Sequence, residues 1–413
     1  MSILSALNTG AGGLDASSVE LSVIGDNIAN ANTIGFKSSR VVFQDTLAQT
    51  LIGEGTSQIG LGTRTQTVQR MHTQGALLTT NRATDLSLEG SGYFVVSGAY
   101  NGTSGTYYTR AGQFTLDKDG YLVNMQGLRV QGYTADAAGV VGTTVGDLRV
   151  NSGAAPPQPT SNVTMRANLS ADAQVLAAAW DPTNPATTSN FSSSVVVYDS
   201  LGAAHTVDVY YRKTAAGAWE WHAMTDGAGV TGGTPGTPSE IATGTLTFDA
   251  EGRLATVGAQ SGTFNPINAT NPQAITFSFG TSTGAGGTGL DGITQFSSAS
   301  VTTFTSQDGF TTGNLTNVNV DSQGQVVGVF TNGQTRVLGQ VAVAEVPSEE
   351  HLHRMGGNLF SLMPEAGSPT VGKPGAGGRA SIIAGALEQS NVDMAAEFVR
   401  MIAAQRAFQA NSK

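Results

Sequence analysis

The two ends of the chain carry the same apolar pattern, which limits the folds open to them. Leucine and isoleucine recur every seven residues near the N-terminus, and methionine and phenylalanine keep that step near the C-terminus. Such a repeat is typical of helices that pack along a coiled-coil seam. We predict helices over 2–30 and 388–413, although an ordinary amphipathic helix packed on its own domain would give the same pattern. The predicted subunit-assembly interface comprises Leu7, Leu14, Leu21, Ile24, Ile28, Met394, Phe398, Met401, Ile402 and Phe408.

Residues near the predicted helix ends indicate where the chain leaves the helical state. The glycines at 10, 12 and 13 are expected to weaken the first helix. The asparagine-rich stretch 26–37 favours an exit from it, with Gly35 free to take a positive φ angle. Before the second helix, Ser390 is expected to cap the first turn, and Asp393 suits the positive end of the helix dipole.

Between its ends the chain has the pattern of turn-rich β-structure. Apolar strands joined by Asp-x-x-Gly recur, as at 117–120, and predict hairpins. Trp219 and Trp221 share one face of a strand and are predicted to be core. The predicted fold class is α+β multi-domain: a terminal α-helical coiled-coil domain plus two β-rich domains nested in the chain as discontinuous domains. The predicted boundaries are 1–30 with 386–413 for the helical domain, 31–83 with 365–385 for an extended connector, 84–149 with 300–364 for a first outer β-rich domain, and 150–299 for an inserted second one.

The composition argues against several classes of site. The net charge is −10 and Lys and Arg form no cluster, so nucleic-acid binding is not expected. There are no cysteines, which excludes disulfides and thiolate metal sites. His351 and His353 have only Glu349 and Glu350 nearby as further ligands, so a solvated loop is preferred to adventitious metal binding. No phosphate-binding or hydrolase motif is present. We predict no catalytic residues, no cofactor and no metal.

The N-terminal region does not resemble a cleaved signal peptide. The first basic residue is Lys37, and acidic residues interrupt the place where an apolar stretch would be needed. No apolar run reaches the roughly 18 residues that a membrane span needs, so no membrane insertion is expected. Two alternatives remain at this point: a cytosolic protein, or export by a route that recognises an uncleaved N-terminus.

Three blocks of sequence together resemble those of bacterial flagellar rod and hook proteins. They are the segment 26–37, the segment 109–127 that begins Thr-Arg-Ala-Gly-Gln-Phe, and the segment 386–408. The region from about 150 to 300 resembles the family only loosely. The residues that carry the signature are Asn27, Ala29, Asn30, Thr33, Gly35, Phe36, Asn391 and Asp393.

The large inserted middle domain is similar to that of the hook members of this family. The resemblance implies a non-enzymatic structural subunit of an extracellular helical tube, which bends as a universal joint between rod and filament. It also implies export through the flagellar type III apparatus without a cleaved signal peptide. The implied partners are further copies of the chain, the rod, hook-cap and hook–filament junction proteins, and the export apparatus.

Other interpretations stay open from the sequence. A distal-rod-like or hook-like axial protein would carry the same three blocks. A secreted β-rich protein that binds or degrades carbohydrate would explain the Gly- and Thr-rich strands but not the matched apolar repeats. In the family the C-terminal helix usually extends further past Phe408 than it does here. Either the chain is incomplete, or its inner tube is built from a shorter helix.

Overall fold

The protein is mostly β-structure with one α-helix near each end. The computed structural model describes residues 3–47, 60–136, 138–150 and 153–413. Helix α1 spans Ile3–Ala29 and helix α2 spans Met394–Asn411. The β-rich bulk and the two terminal helices are as predicted. The predicted start of the second helix at 388 is wrong, because Ala386–Glu388 is a strand.

The strands are numbered along the chain. The first ten are β1 Ser39–Leu47, β2 Gly60–Arg70, β3 Leu77–Thr79, β4 Leu86–Glu89, β5 Tyr93–Tyr100, β6 Thr103–Thr109, β7 Phe114–Leu116, β8 Leu122–Asn124, β9 Arg129–Ala135 and β10 Val141–Asp147. The next nine are β11 Asn162–Asn168, β12 Phe191–Tyr198, β13 Ala204–Ala215, β14 Ala218–Asp226, β15 Pro238–Phe248, β16 Leu254–Val257, β17 Ser261–Phe264, β18 Gln273–Ser278 and β19 Val301–Gln307. The last nine are β20 Leu315–Val320, β21 Gln325–Phe330, β22 Thr335–Val341, β23 Val343–Glu345, β24 Leu352–Gly356, β25 Leu359–Leu362, β26 Thr370–Gly372, β27 Ser381–Ala384 and β28 Ala386–Glu388.

The described residues divide into two compact units. The first contains the residues before 151 together with 316–329 and 335–413, and the second contains 153–315 and 330–334. Strand β19 pairs with β11, so residues 301–307 belong to the second unit and not to the predicted first outer domain. Sequence pattern alone could not reveal this, because the pairing joins strands that are far apart along the chain.

The predicted extended connector contains regular structure in its described part. Strands β1 and β2 form an antiparallel hairpin, and both strands contact α1. Strand β3 pairs with β28. This pairing explains why residues 386–388 form a strand where the helix was predicted to start. Residues 48–59 of the predicted connector lie outside the described residues.

A large sheet forms most of the first unit. Its main path runs β20-β21-β22-β9-β5-β6-β25-β24, and β7, β8, β10, β23 and β26 pair along it. Tyr93 and Tyr108 are buried beside Phe360, with the rings of Tyr93 and Phe360 5.9 Å apart. The two short pairs β27–β4 and β28–β3 bring the chain back towards the terminal helices.

Two sheets form the second unit. One has the order β17-β18-β11-β19 and the other β12-β13-β14-β15-β16. Their side chains share one core, in which the ring of Trp221 lies 5.2 Å from that of Phe277. Trp219 and Trp221 are 1% and 0% exposed, so the prediction that they are core residues is confirmed.

The predicted Asp-x-x-Gly turns are present. Asp117 Oδ1 accepts from the backbone N–H groups of Asp119 and Tyr121 at 2.9 and 2.8 Å, and Gly120 has a φ of +80°. The carboxylate is therefore used inside its own turn. The same residue pattern closes turns at 199–202, 249–252 and 321–324, where the glycine φ angles are +82°, +78° and +73°.

Candidate subunit-assembly surface

Helix α1 packs closely on its neighbours through its glycines. A Cβ at Gly13 would lie 2.7 Å from Asn411 Nδ2 on α2, and a Cβ at Gly12 would lie 3.1 Å from the carbonyl oxygen of Thr63 on β2. The absence of side chains thus lets α2 and the hairpin approach the helix on two sides. The sequence indicates only the cost of these glycines to helix propensity; their packing role depends on distant segments.

The contact between the two helices also includes buried polar groups. Asn27 on α1 is 1% exposed and Glu397 on α2 is 4% exposed. Asn27 Nδ2 donates to Glu397 Oε2 at 3.3 Å, and Arg400 Nη1 donates to Glu397 Oε1 at 2.8 Å. Since buried polar atoms need partners, this pair favours one alignment of the helices.

Within the described chain, half of the ten apolar residues of the predicted interface are exposed. Ile24 alone is buried, at 4% exposure. Leu14, Leu21, Ile28 and Met401 are half-buried. The exposed ones are Leu7, Met394, Phe398, Ile402 and Phe408, at 63%, 42%, 48%, 52% and 37%.

These side chains form an apolar surface on the terminal helices. Phe398 and Ile402 are one turn apart, so they lie on the same side of α2. Large apolar side chains grouped on an exposed face mark an interaction site in a soluble protein. We call this group the terminal apolar surface; it comprises Leu7, Met394, Phe398, Val399, Ile402 and Phe408.

Most of the signature residues hold the segments that connect the helices to the sheets. Asn391 Oδ1 accepts from Ser38 N at 2.7 Å, and its amide donates to Met71 O at 2.8 Å. Asn27 exchanges two hydrogen bonds with the backbone of Ser39, at 2.8 and 2.9 Å. Phe36 is 3% exposed and lies 5.2 Å below the guanidinium of Arg354.

The remaining signature residues shape the two helix ends. Asn30 donates to Asp26 O at 2.9 Å and accepts from Thr33 Oγ1 at 3.1 Å, which turns the chain out of α1. Ala29, the last residue of α1, is exposed. Asp393, and not Ser390, is the N-cap of α2: its carboxylate accepts from Ala395 N and Ala396 N at 2.9 and 3.1 Å.

A buried cluster of three charged groups lies between these connecting segments. Glu388 is 0% exposed, and Lys37 and Arg110 are each 3% exposed. Lys37 Nζ lies 2.6 Å from Glu388 Oε1, and Arg110 Nη1 lies 3.3 Å from Glu388 Oε2. Gly75 N donates to Glu388 Oε1 at 2.9 Å, and Lys37 Nζ also donates to Thr73 O at 2.6 Å.

This charge cluster was not predicted from the sequence. Each member lies in a different one of the three blocks that resemble flagellar proteins: Lys37 in the first, Arg110 in the second and Glu388 in the third. Each block also contains other charged residues, such as Asp26, Asp117 and Arg400, so no local signal singles out these three. Nothing in the sequence indicates that the three side chains meet.

Burial shifts the pKa values of the ionisable groups around the cluster. It lowers the pKa of Lys37, although attraction to Glu388 opposes that shift. It also lowers the pKa of His72 from 6.5 to about 4, with Arg70 and Lys37 adding repulsion. His72 Nδ1 lies 2.6 Å from the hydroxyl oxygen of Tyr93, whose pKa burial raises. Burial likewise raises the pKa of Glu349.

Neither a metal-holding group nor a membrane-spanning helix is found among the described residues. Across 3–47, 60–136, 138–150 and 153–413, no three His, Asp or Glu side chains are grouped so that they could hold a metal ion. Neither α1 nor α2, in the part that the structure describes, is long and apolar enough to cross a membrane.

Comparison with known families finds four matching segments. Residues 7–37 match the flagella basal body rod protein family, and residues 383–413 match the C-terminal segment of the flagellar basal body rod FlgEFG proteins. Residues 87–170 match the D1 domain of the flagellar hook proteins FlgE/F/G, and residues 167–310 match the D2 domain of the flagellar basal body protein FlaE. The fold and these matches define a class, the axial proteins of the bacterial flagellum.

Individual relatives extend over the whole chain. The flagellar hook protein FlgE of Borreliella burgdorferi is 33% identical, and the match covers 100% of this chain and 96% of that protein. FlgE of Escherichia coli is 32% identical, with 99% and 96% covered. The crystal structure of Helicobacter pylori FlgE2 gives a TM-score of 0.49 at 15% identity, covering 74% of this chain and 98% of that one. The chain belongs to the flagellar hook protein family.

Proposed function

We propose that the chain is the structural subunit of the hook and polymerises into a flexible helical tube that transmits torque from rod to filament. One observation carries the proposal: five large apolar side chains of α2, and Leu7 of α1, stay exposed among the described residues. A subunit that exists as a monomer gains nothing from such a surface, whereas a polymer buries it. The full-length match to hook proteins supports the hook rather than the rod as the place of assembly.

In this proposal the terminal helices of neighbouring copies form the inner tube. Within one chain, α1 and α2 meet through glycines and the Asn27–Glu397 pair, so Phe398 and Ile402 remain free for another copy. Fully burying one large apolar side chain contributes about 1.5–3 kcal/mol. Coiled-coil packing between copies would bury Leu7, Leu14, Leu21 and Ile28 in the same seam. The sheets of the first unit and the whole second unit, which lie between the helices in sequence, form the outer layers.

The family relationship supports a set of partners and a location that follow from the same proposal. The tube joins the rod at one end and the hook–filament junction proteins at the other, and it grows beneath a hook cap. The subunit leaves the cell through the flagellar export apparatus without a cleaved signal peptide and assembles outside the cell. Its role is structural and requires no catalysis.

The experiment compares variants of α2 in seeded assembly. Phe398→Gln/Ile402→Gln removes apolar area at two exposed positions while keeping a good helix former at each. Arg406→Gln, also exposed on α2, is the matched control. Each full-length protein is added to sheared wild-type tubes, and the concentration needed for elongation is measured by sedimentation and electron microscopy.

The double variant should raise the critical concentration by about 100-fold, since about 3 kcal/mol of apolar burial is lost. The unfolding midpoint of its monomer should equal that of the wild type, because the lost side chains are exposed there. The control should elongate as the wild type does. Elongation of the double variant at the wild-type concentration would refute the proposed interface.

A further inference from the structure

The buried charge cluster lies on both covalent connections between the helices and the sheets of the first unit. Lys37 is in the segment that joins α1 to β1, and Glu388 ends β28 just before the segment that leads into α2. Glu388 contacts the first segment twice. Its carboxylate accepts from Lys37 Nζ at 2.6 Å, and its carbonyl oxygen accepts from Gly35 N at 2.7 Å.

The cluster is also fixed to the sheet from which both segments leave. Arg110, which follows β6, donates to Glu388 Oε2 at 3.3 Å and to the carbonyl oxygen of Gly90 at 2.8 Å. Its guanidinium lies 5.3 Å from the centre of the Tyr93 ring on β5. The carboxylate therefore connects three parts of the chain, and neither helix connection can turn on its own without breaking a charge-assisted hydrogen bond.

Stability alone does not account for three buried charges. Removing charged groups from water is costly, and replacing a buried ion cluster by neutral groups is often neutral or stabilising. Directional hydrogen bonds differ from apolar contacts because they accept few arrangements of donor and acceptor. A cluster of this kind is suited to fixing the angle at which the two connecting segments leave the sheet.

We propose that Glu388 is a positioning residue for assembly: through Lys37 and Arg110 it sets the direction in which α1 and α2 leave the sheets of the first unit. This inference rests on the proposed function and deepens it, because helix direction decides whether the terminal apolar surfaces of successive subunits meet. Without the cluster, each unit folds and each helix forms, but the helices lose their common direction.

The test separates folding from assembly. Lys37→Met/Arg110→Met/Glu388→Gln makes the cluster neutral and keeps a side-chain oxygen for Gly75 N. The matched control is Arg129→Met/Asp147→Asn, which neutralises a half-exposed ion pair of 2.8 Å in the same unit. Unfolding midpoints of the monomers are measured together with seeded elongation, and the twist and curvature of any tubes are determined by electron microscopy.

The monomer of the triple variant should have the unfolding midpoint of the wild type. Its elongation should need at least about tenfold more subunit, and its tubes should have an altered or variable twist. The control should match the wild type in all three measurements. If the triple variant does not fold, Glu388→Gln alone is tested at a temperature where its near-UV circular dichroism is native: reduced elongation supports the proposal and wild-type elongation overturns it. Wild-type elongation and twist of the folded triple variant would likewise overturn it.

Failure of this inference is distinguishable from failure of the proposed function. If the wild-type chain does not elongate tubes, or if Phe398→Gln/Ile402→Gln elongates normally, the proposed function is wrong. If the wild type elongates, the apolar double variant does not, and the charge-cluster variants elongate normally, only the positioning role of Glu388 is wrong.

Discussion

At the scale of single residues, the segments that connect the helices to the sheets depend on side-chain size and hydrogen-bonding capacity. Gly35 has a φ of +69°, and a Cβ there would lie 2.6 Å from Ala111 N. The positive φ angle was predictable from the sequence, because glycine follows an asparagine-rich stretch. The approach of Ala111 was not, since it comes from a distant part of the chain. The same holds for Glu388, whose partners are set only by the fold.

His72 should make the stability of the first unit depend on pH. Burial lowers its pKa from 6.5 to about 4, so between these values the unfolded chain binds a proton that the native chain does not. The free energy of unfolding should therefore fall as the pH is lowered from 6.5 to 4 and level off below. The loss is on the order of 3 kcal/mol, at about 1.4 kcal/mol per pKa unit.

Glu349 must be substituted in this experiment, because burial raises its pKa. Its protonation on acidification would stabilise the native chain and mask the loss caused by His72. The comparison is therefore between Glu349→Gln and Glu349→Gln/His72→Gln in urea unfolding at pH 7, 5.5 and 4. The single variant should lose more stability on acidification than the double variant. Equal losses in the two proteins would show that His72 does not titrate as described.

At the scale of elements, α2 illustrates what local pattern determines and what it does not. The apolar repeat from Met394 to Phe408 predicted the helix. The helix starts later than predicted, because Ala386–Glu388 is a strand that carries no local sign of its pairing with β3. For the same reason the N-cap is Asp393 and not the predicted Ser390. For α1 the seven-residue repeat was informative about the helix, whereas the role of its glycines depended on what packs beside them.

Asp393 should contribute measurably to the stability of α2. Its carboxylate accepts from two backbone N–H groups of the first turn, so Asp393→Ala should cost the helix about 1 kcal/mol. Asp393→Asn keeps the acceptor and should restore most of that loss. Amide exchange of 394–411, measured in tubes because α2 is expected to be protected there, reports the difference between the two variants. Equal exchange in both would contradict the capping role.

At the scale of the molecule, composition and periodicity predicted a β-rich chain with a helix at each end. The tryptophan core of the second unit followed from period-two spacing on β14. Unit membership was harder to predict, because β19 joins the second unit only through its pairing with β11. The predicted connector likewise contains a hairpin, because β1 pairs with β2 and both strands pack on α1. Long-range pairing, not local preference, decided each of these points.

We expect the terminal helices to complete their packing only between copies of the chain. Hydrogen exchange of the full chain, measured as a dilute monomer and as a tube, tests this most directly. We expect the amides of α1 and α2 to exchange rapidly in the monomer and at least about 100-fold more slowly in the tube, with β13 and β14 unchanged. Helices that are equally protected in both states, or unprotected in the tube, would overturn the proposed assembly through the terminal helices.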